Sequence, residues 1–243
     1  MGPREVAQGI VANVIRGYSA EQVRAAEQPH LAAGEPLMAL AAAGLAGAIR
    51  EEIAELDDPG ARASVLLLVG SGNNGGDSLF AGAELAASGF LVAVAELGTR
   101  THAEGLAAAL DAGATSVELG DDPVVAVTDA AMNADVLVDG ILGTGAYRSP
   151  ALRGLAREVV AALRPLAASP RRRVVAVDLP SGIDPDTGAL PDETVLPADV
   201  TVTFGAYKAG LLRNPGAMYA GRIVLVDIGL LPDLVGIEPV VLG

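Results

Sequence analysis

Three short stretches hold the residue types best suited to chemistry. In the first, a Val/Leu run passes into Gly70-Ser71-Gly72-Asn73-Asn74-Gly75-Gly76-Asp77. A strand, a glycine-rich turn and a helix start in that order are what phosphate-binding loops require. Gly70, Gly72 and Gly75 also satisfy G-x-G-x-x-G, although that match alone is weak. Asp77 is expected at the helix N-terminus, where it suits the helix dipole but repels a pyrophosphate unless a cation intervenes. Asn73 and Asn74 offer neutral oxygens for such a cation or for a sugar. A plain tight turn capped by Asp77 accounts for the same residues without any ligand.

The second stretch, Val138-Asp139-Gly140-Ile141-Leu142-Gly143-Thr144-Gly145, sets a carboxylate at a strand's carboxyl end beside a flexible turn. An Asp in that position also commonly caps its own loop. The third is Val177-Asp178-Leu179-Pro180-Ser181-Gly182-Ile183-Asp184, a strand-end acid before a rigid Pro-Ser-Gly turn. Such stiffness is what a general acid or base needs to hold its geometry. Asp184 and Asp186 read as Asx-turn residues. Lys208 is the only lysine among 16 basic residues. It is either a titratable group kept for a purpose or an ordinary surface charge.

Positioning these loops calls for an α/β fold. Val- and Leu-rich runs at 64–69, 91–97, 116–119, 135–139, 174–178, 200–204 and 223–226 alternate with Ala-rich amphipathic stretches, the pattern of a parallel sheet buried on both faces. Ligands in such sheets bind at the carboxyl ends of the strands. Before them, Ser19 and Gln22 have capping-box spacing for a helix that continues through Val23 and Leu31. A second helix has Leu37, Met38, Leu45, Ile49 and Ile53 on its apolar face and Arg50, Glu51 and Glu52 near a solvated end.

The 243 residues fit one domain, 1–243, with no repeat or linker to divide it. A net charge of -14 argues against nucleic acid and anionic lipid as partners, so an anionic ligand needs helix N-termini or a bound cation. With no cysteine and two histidines, neither a disulfide framework nor a thiolate or His-rich metal site is available. The apolar segment around Ile10 and Ile15 is too short to span a membrane, and cytoplasm is the default expectation.

VGSGNNGGD, VLVDGILGTG, VVAVDLPSGIDPDTG and ADVTVTFGAYKAGLL, in that order, resemble the NAD(P)H-hydrate epimerase family, also called the YjeF N-terminal domain. The resemblance runs from Tyr18-Ser19-Ala20-Glu21-Gln22 to Asp227-Ile228-Gly229-Leu230. It implies a Rossmann-like three-layer α/β/α sandwich with a mostly parallel sheet and N-terminal helices, usually a homodimer. The implied reaction interconverts the R and S epimers of hydrated NADH and NADPH (NADHX and NADPHX), of which a companion ADP- or ATP-dependent dehydratase uses only the S form.

By the same resemblance, Asn73, Asn74, Gly75, Gly76 and Asp77 contact the hydrate. Gly143, Thr144, Gly145, Ala146, Tyr147, Arg148 and Ser149 form a loop over the nucleotide phosphate. Asn74, Asp139 and Ser181 hold one potassium ion, and Asp178 contacts the ligand near the reacting ring and transfers protons, with Lys208 as a second titratable group. The sequence departs from the family pattern at Ser78, where glycine is usual, and at Tyr207 and Ala209, where prolines are common. Two other readings stand beside it. One is an inactive binding or scaffold module, a use of this fold seen in RNA decapping factors. The other is an NAD-dependent dehydrogenase, suggested by the glycine fingerprint and by Glu96 at the end of the next strand.

Overall fold

The computed structural model describes residues 14–56, 62–146 and 149–243. In chain order its main elements are β1 (Arg16–Tyr18), α1 (Ala20–Ala32), α2 (Leu37–Ala54), β2 (Ser64–Val69), α3 (Asn73–Ala87), β3 (Leu91–Glu96), α4 (Ala103–Asp111), β4 (Thr115–Ser116), α5 (Pro123–Met132), β5 (Val136–Gly140), α6 (Gly154–Ala167), β6 (Arg173–Val177), β7 (Val200–Phe204), β8 (Tyr207–Lys208), β9 (Arg222–Val226) and β10 (Val241–Leu242).

Seven strands form one sheet in the order β4-β3-β2-β5-β6-β7-β9, every neighbouring pair parallel. The alternation of side chains along β2 divides the interior in two. Val65, Leu67 and Val69 pack with Leu45 and Ile49 of α2 and Leu79 and Leu85 of α3. Leu66 and Leu68 pack on the other side with Val127 of α5 and Val159, Val160 and Leu163 of α6. The result is the expected three-layer α/β/α sandwich, in which central strands buried on both faces are apolar at consecutive positions.

The strand order reverses between β2 and β5: the chain builds outward through β3 and β4 on one side, then through β6, β7 and β9 on the other. At such a switch point the connections leave in opposite directions and open a crevice beyond the strand ends. The glycine-rich stretch following β2 and the Asp139 loop of β5 therefore face one another. The Gly70 amide donates to the Gly140 carbonyl at 3.1 Å.

Four expectations need correction. The run at 116–119 pairs only through Thr115 and Ser116, and the run at 174–178 shifts to Arg173–Val177, leaving Asp178 beyond the strand end. Leu31 is 52% exposed rather than on the packed face of α1. Glu52 is 2% exposed, not solvated, because Arg222 and Arg173 (3.5 Å) reach over the sheet edge to neutralise it. Among the described residues, no single helix is long and apolar enough to cross a membrane.

A second, three-stranded sheet, in the order β10-β1-β8, had no counterpart in the sequence reading. Its strands are two or three residues long, too short to show a period of two. β1 runs parallel to β8, with Tyr18 opposite Lys208, and antiparallel to β10. The capping box at Ser19 forms as expected and starts α1 immediately after β1, and the Ala20 amide is tied to Asp186 Oδ1 at 2.6 Å.

The closeness of the two central loops depends on a missing side chain. A Cβ on Gly70 falls 1.8 Å from the Ile141 carbonyl oxygen, a backbone atom that cannot rotate away. Gly70→Ala is expected to lower the unfolding free energy by about 2–3 kcal/mol, toward the upper end of the usual overpacking cost, as measured by urea denaturation. A variant as stable as the wild type would show that the crevice can widen without cost.

Candidate active site at the switch point

Helix α3 begins inside the glycine-rich motif, so the tight turn is confined to 70–72 and Asn73 through Gly76 form the first helical turn. Asp77 therefore lies in the second turn, buried, and the N-cap is Gly72 with no side-chain bond. This corrects the expectation that Asp77 sits at the helix terminus. It also removes the reading of Asp77 as a mere cap. Asn74, Asp77 and Ser78 share one buried face, and Ser78 Oγ anchors itself on the Asn74 carbonyl at 2.7 Å.

Around Asn74 the three loops are knotted together. Its Nδ2 donates to the carbonyls of Val177 at 2.5 Å and Leu142 at 3.2 Å. Its Oδ1 lies so close to Gly143 that a Cβ there falls 2.2 Å away. Asp139, 1% exposed, accepts from the Ser181 amide at 2.8 Å, and Ser181 Oγ accepts from the Leu142 amide at 2.8 Å. Asp139 also takes a 3.4 Å bond from Ile141 in its own loop, so loop capping and cross-loop bracing both operate. Complete burial raises its carboxyl above the usual range, and its bonds to Ser181 only partly oppose this.

The pair expected to move protons is assembled at the ends of β6 and β7. Asp178 has φ 69°, the left-handed region that a non-glycine residue enters only under constraint. It is the centre of a γ-turn closed by Leu179 N to Val177 O at 2.8 Å, and Gly205, also at φ 69°, centres a second one from Ala206 N to Phe204 O at 2.7 Å. Between these turns Asp178 Oδ1 accepts from Thr203 Oγ1 (3.2 Å), Phe204 N (3.3 Å) and Lys208 Nζ. Lys208 Nζ also donates to the Phe204 carbonyl at 2.8 Å. Only 2% exposed, Lys208 is no surface lysine.

Two connected cavities lie over these groups. The outer one, about 660 Å³, is lined by Gly72, Asn73, Gly143, Thr144, Gly145 and Ser149, and by Arg153. Residues at the starts of α3 and α6 line it, and neither helix has a side-chain cap, which leaves their first backbone N–H groups without a capping side chain. The inner one, about 130 Å³, contains Asp77, Asp178 and Lys208 and shares Asn73, Asn74 and Thr144 with the outer. Tyr147, Arg148 and the Ala146 side chain, expected in the phosphate loop, lie outside the described residues.

Two charged residues of these cavities are not among the site residues expected from the sequence. Arg153 ends a loop with no motif of its own. Glu27, which lines the inner cavity from α1, had one available signal: it stands four residues from both Val23 and Leu31, a carboxylate within a stripe read as apolar. As for the rival readings, Asp184 is the turn residue expected, accepting from Asp186 N, Thr187 N and Thr187 Oγ1, and Glu96 is engaged by the hydroxyl of Thr101.

Burial, then the neighbouring charges of Asp178 and Glu27, push the Asp77 carboxyl up to about 8, with Lys208 opposing. A folded-state value above the unfolded one means that the unfolded chain releases this proton first. Stability is therefore expected to fall as pH rises from about 4 to about 8 and to level off above that, by an amount on the order of a few kcal/mol at pH 7. Urea unfolding of the wild type and Asp77→Asn at pH 5 and pH 8 checks this. The variant is expected to gain most at pH 8, and equal gains at both pH values would show that Asp77 is already ionised in the folded state.

These loops lie within the part of the chain that matches known proteins. Residues 34–210, which include the loops at 70–77, 139–145 and 178–184 and Lys208, match the model of the family described as YjeF-related protein N-terminus. A protein of Clavibacter michiganensis called NAD(P)H-hydrate epimerase is 53% identical over 228 residues, which are 93% of this chain and 94% of that one. A Mycobacterium tuberculosis protein called bifunctional NAD(P)H-hydrate repair enzyme Nnr is 41% identical over 88% of this chain but only 41% of its own length. The crystal structure of yeast YNL200c superposes with a TM-score of 0.66 at 20% identity, covering 81% of this chain and 83% of that one, which speaks for the fold. This chain belongs to the YjeF-related N-terminal family.

Proposed function

We propose that this chain is an NAD(P)H-hydrate epimerase, an isomerase that interconverts the R and S forms of NADHX and NADPHX. The observation that carries the reading is the buried Asp178–Lys208 pair in a crevice whose outer half is lined by two uncapped helix starts and Arg153. The relatives that match along nearly their full length are named for this activity.

The reacting carbon of a hydrated dihydronicotinamide bears a hydroxyl and the ring nitrogen. Inverting it requires loss and return of water, or opening and closing of the ring. Both routes take one proton from the substrate and give one back. Asp178 is the proton carrier, held in one orientation by Thr203, Phe204 N and Lys208, so that little reorganisation is needed at the moment of transfer. The uncapped starts of α3 and α6, with Arg153, receive the phosphates in the outer cavity.

A potassium ion fits the knot around Asp139. The oxygens at hand are one buried carboxylate, one hydroxyl, one side-chain amide and backbone carbonyls, a hard and weakly charged set. Among the described residues no group of three His, Cys, Asp or Glu is placed to hold a metal, which fits a singly charged ion better than a divalent one. Asn74, Asp139 and Ser181 would hold it, and its positive charge would offset both the buried Asp139 and an incoming phosphate. The reading extends to a homodimer packed through the N-terminal helices, to a cytoplasmic setting and to a dehydratase that consumes the S epimer. The bifunctional name of the mycobacterial relative supports that last partner.

The test follows R-NADPHX by chromatography after an S-specific dehydratase has removed the S form. The protein is expected to consume the remaining R form rapidly, and Asp178→Asn to slow this by about 10²–10⁴-fold. Loss no faster than the spontaneous rate would falsify the assignment, and full activity in Asp178→Asn would move the proton transfer elsewhere. Replacing potassium by lithium is expected to raise KM more than it lowers kcat, and identical kinetics in the two salts would remove the ion from the site.

A further inference from the structure

The inner cavity holds more carboxyls than the mechanism has used. Glu27 enters it from α1, Asp77 from α3, Asp178 from the end of β6 and Lys208 from β8, all within about 130 Å³. Lys208 and Asp178 satisfy one another and make a unit of no net charge. Glu27 and Asp77 are left facing that unit. The other charged group near Glu27 is Arg24, one turn earlier on α1. The remaining wall combines apolar side chains, among them Leu37, Met38 and Ile228, with the neutral polar residues Asn73, Asn74 and Thr144.

Two further negative charges in so small a space are unfavourable, and more so once an anionic nucleotide closes it. A proton held on one of them relieves the repulsion. Burial does raise Glu27 above the ordinary carboxyl range, with Lys208 opposing and Asp178 reinforcing the rise, and the rise at Asp77 includes a contribution from Glu27. The cavity therefore contains an ion pair and, lining the same space, two further carboxyls whose proton affinity burial raises.

Resting on the epimerase reading, we propose that Glu27 and Asp77 together form the acid of the reaction, opposite Asp178 as the base. In the dehydration route the carboxyl pair protonates the departing hydroxyl. The C–O bond breaks as the ring-nitrogen electrons move in, and water re-adds on the other face, its proton returning through Asp178 to the pair. In the ring-opening route Asp178 takes the hydroxyl proton and the C–N bond breaks as the pair protonates the departing enamine end. Reclosure on the opposite face reverses both transfers. Each route leaves the enzyme in its starting protonation state.

The experiment measures kcat and KM for R-NADPHX against pH with the wild type, Glu27→Gln and Glu27→Asp. Glu27→Gln is expected to lower kcat by about ten- to a hundredfold with KM within about threefold, the pattern of an interaction made in the transition state. Because anionic Glu27 helps hold the proton on Asp77, the alkaline limb of the kcat profile is expected to move to lower pH in Glu27→Gln. Glu27→Asp, which restores a carboxyl, is expected to recover part of the rate. Wild-type kcat with an unmoved alkaline limb in Glu27→Gln overturns the proposal. Equal losses in both variants with an unmoved limb also overturn it, because they assign Glu27 a purely structural role. An inactive wild type sinks the epimerase reading itself, whereas an active wild type beside an unaffected Glu27→Gln sinks only the Glu27 assignment.

Discussion

Burying a lysine next to an aspartate sets the terms for the rest of this molecule. Taking an ammonium and a carboxylate out of water costs several kcal/mol per ion, and the attraction between them offsets this only with close geometry and further hydrogen bonds. Here that geometry comes from a strained backbone. Asp178 stands at φ 69° so that its carboxylate turns toward β7, and Gly205 bends in the same way so that the Phe204 carbonyl turns toward Lys208. Each lies at the end of a strand with parallel neighbours on both sides, and both strands, β6 and β7, are buried in the interior of the sandwich. The large apolar interior is what makes such local strain sustainable.

An acidic protein that binds an anionic nucleotide would repel its ligand if charge acted uniformly. With -14 overall, this chain instead separates the signs by position. Backbone N–H groups at two helix starts and one arginine face the outer cavity, while the carboxyls gather in the inner one, where the ring would lie. Partial charges on amides are fixed by the fold and need no counter-charge. The proton that burial favours on Asp77 lowers the negative charge of the inner cavity facing the anionic ligand.

The central sheet was legible because its strands are buried on both faces and so read as unbroken apolar runs. Two of the seven, 64–69 and 200–204, were placed to the residue. The three loops were legible because glycine, proline and strand-end acids mark positions where backbone geometry is demanding. Contacts between residues far apart in sequence were not. Glu52 reads as solvated until two arginines from β6 and β9 are brought to it, and Glu27 as one more helix carboxylate until α1 is laid across the strand ends. Asp77 stands out in the sequence but falls one turn deeper in α3 than its motif suggests, because glycines ordinarily delay a helix and here they lie in its first turn. Lys208 stood out by rarity alone, and nothing local indicated that it would be buried.

The small sheet that carries Lys208 joins residues from the two extremes of the chain. Tyr18 lies opposite Lys208, and Ile15 and Gly243 exchange a pair of backbone hydrogen bonds. Contacts spanning so much sequence carry the largest loop-closure entropy and tend to form late in folding. The loops at the switch point can come together from residues 64–145, but the strand that carries the lysine is paired only when β1, from far earlier in the chain, lies beside it. A nascent or partly folded chain can thus have a formed crevice while lacking the cation that orients its aspartate. Catalytic competence is then acquired in one late event, with no graded increase as the sheet grows.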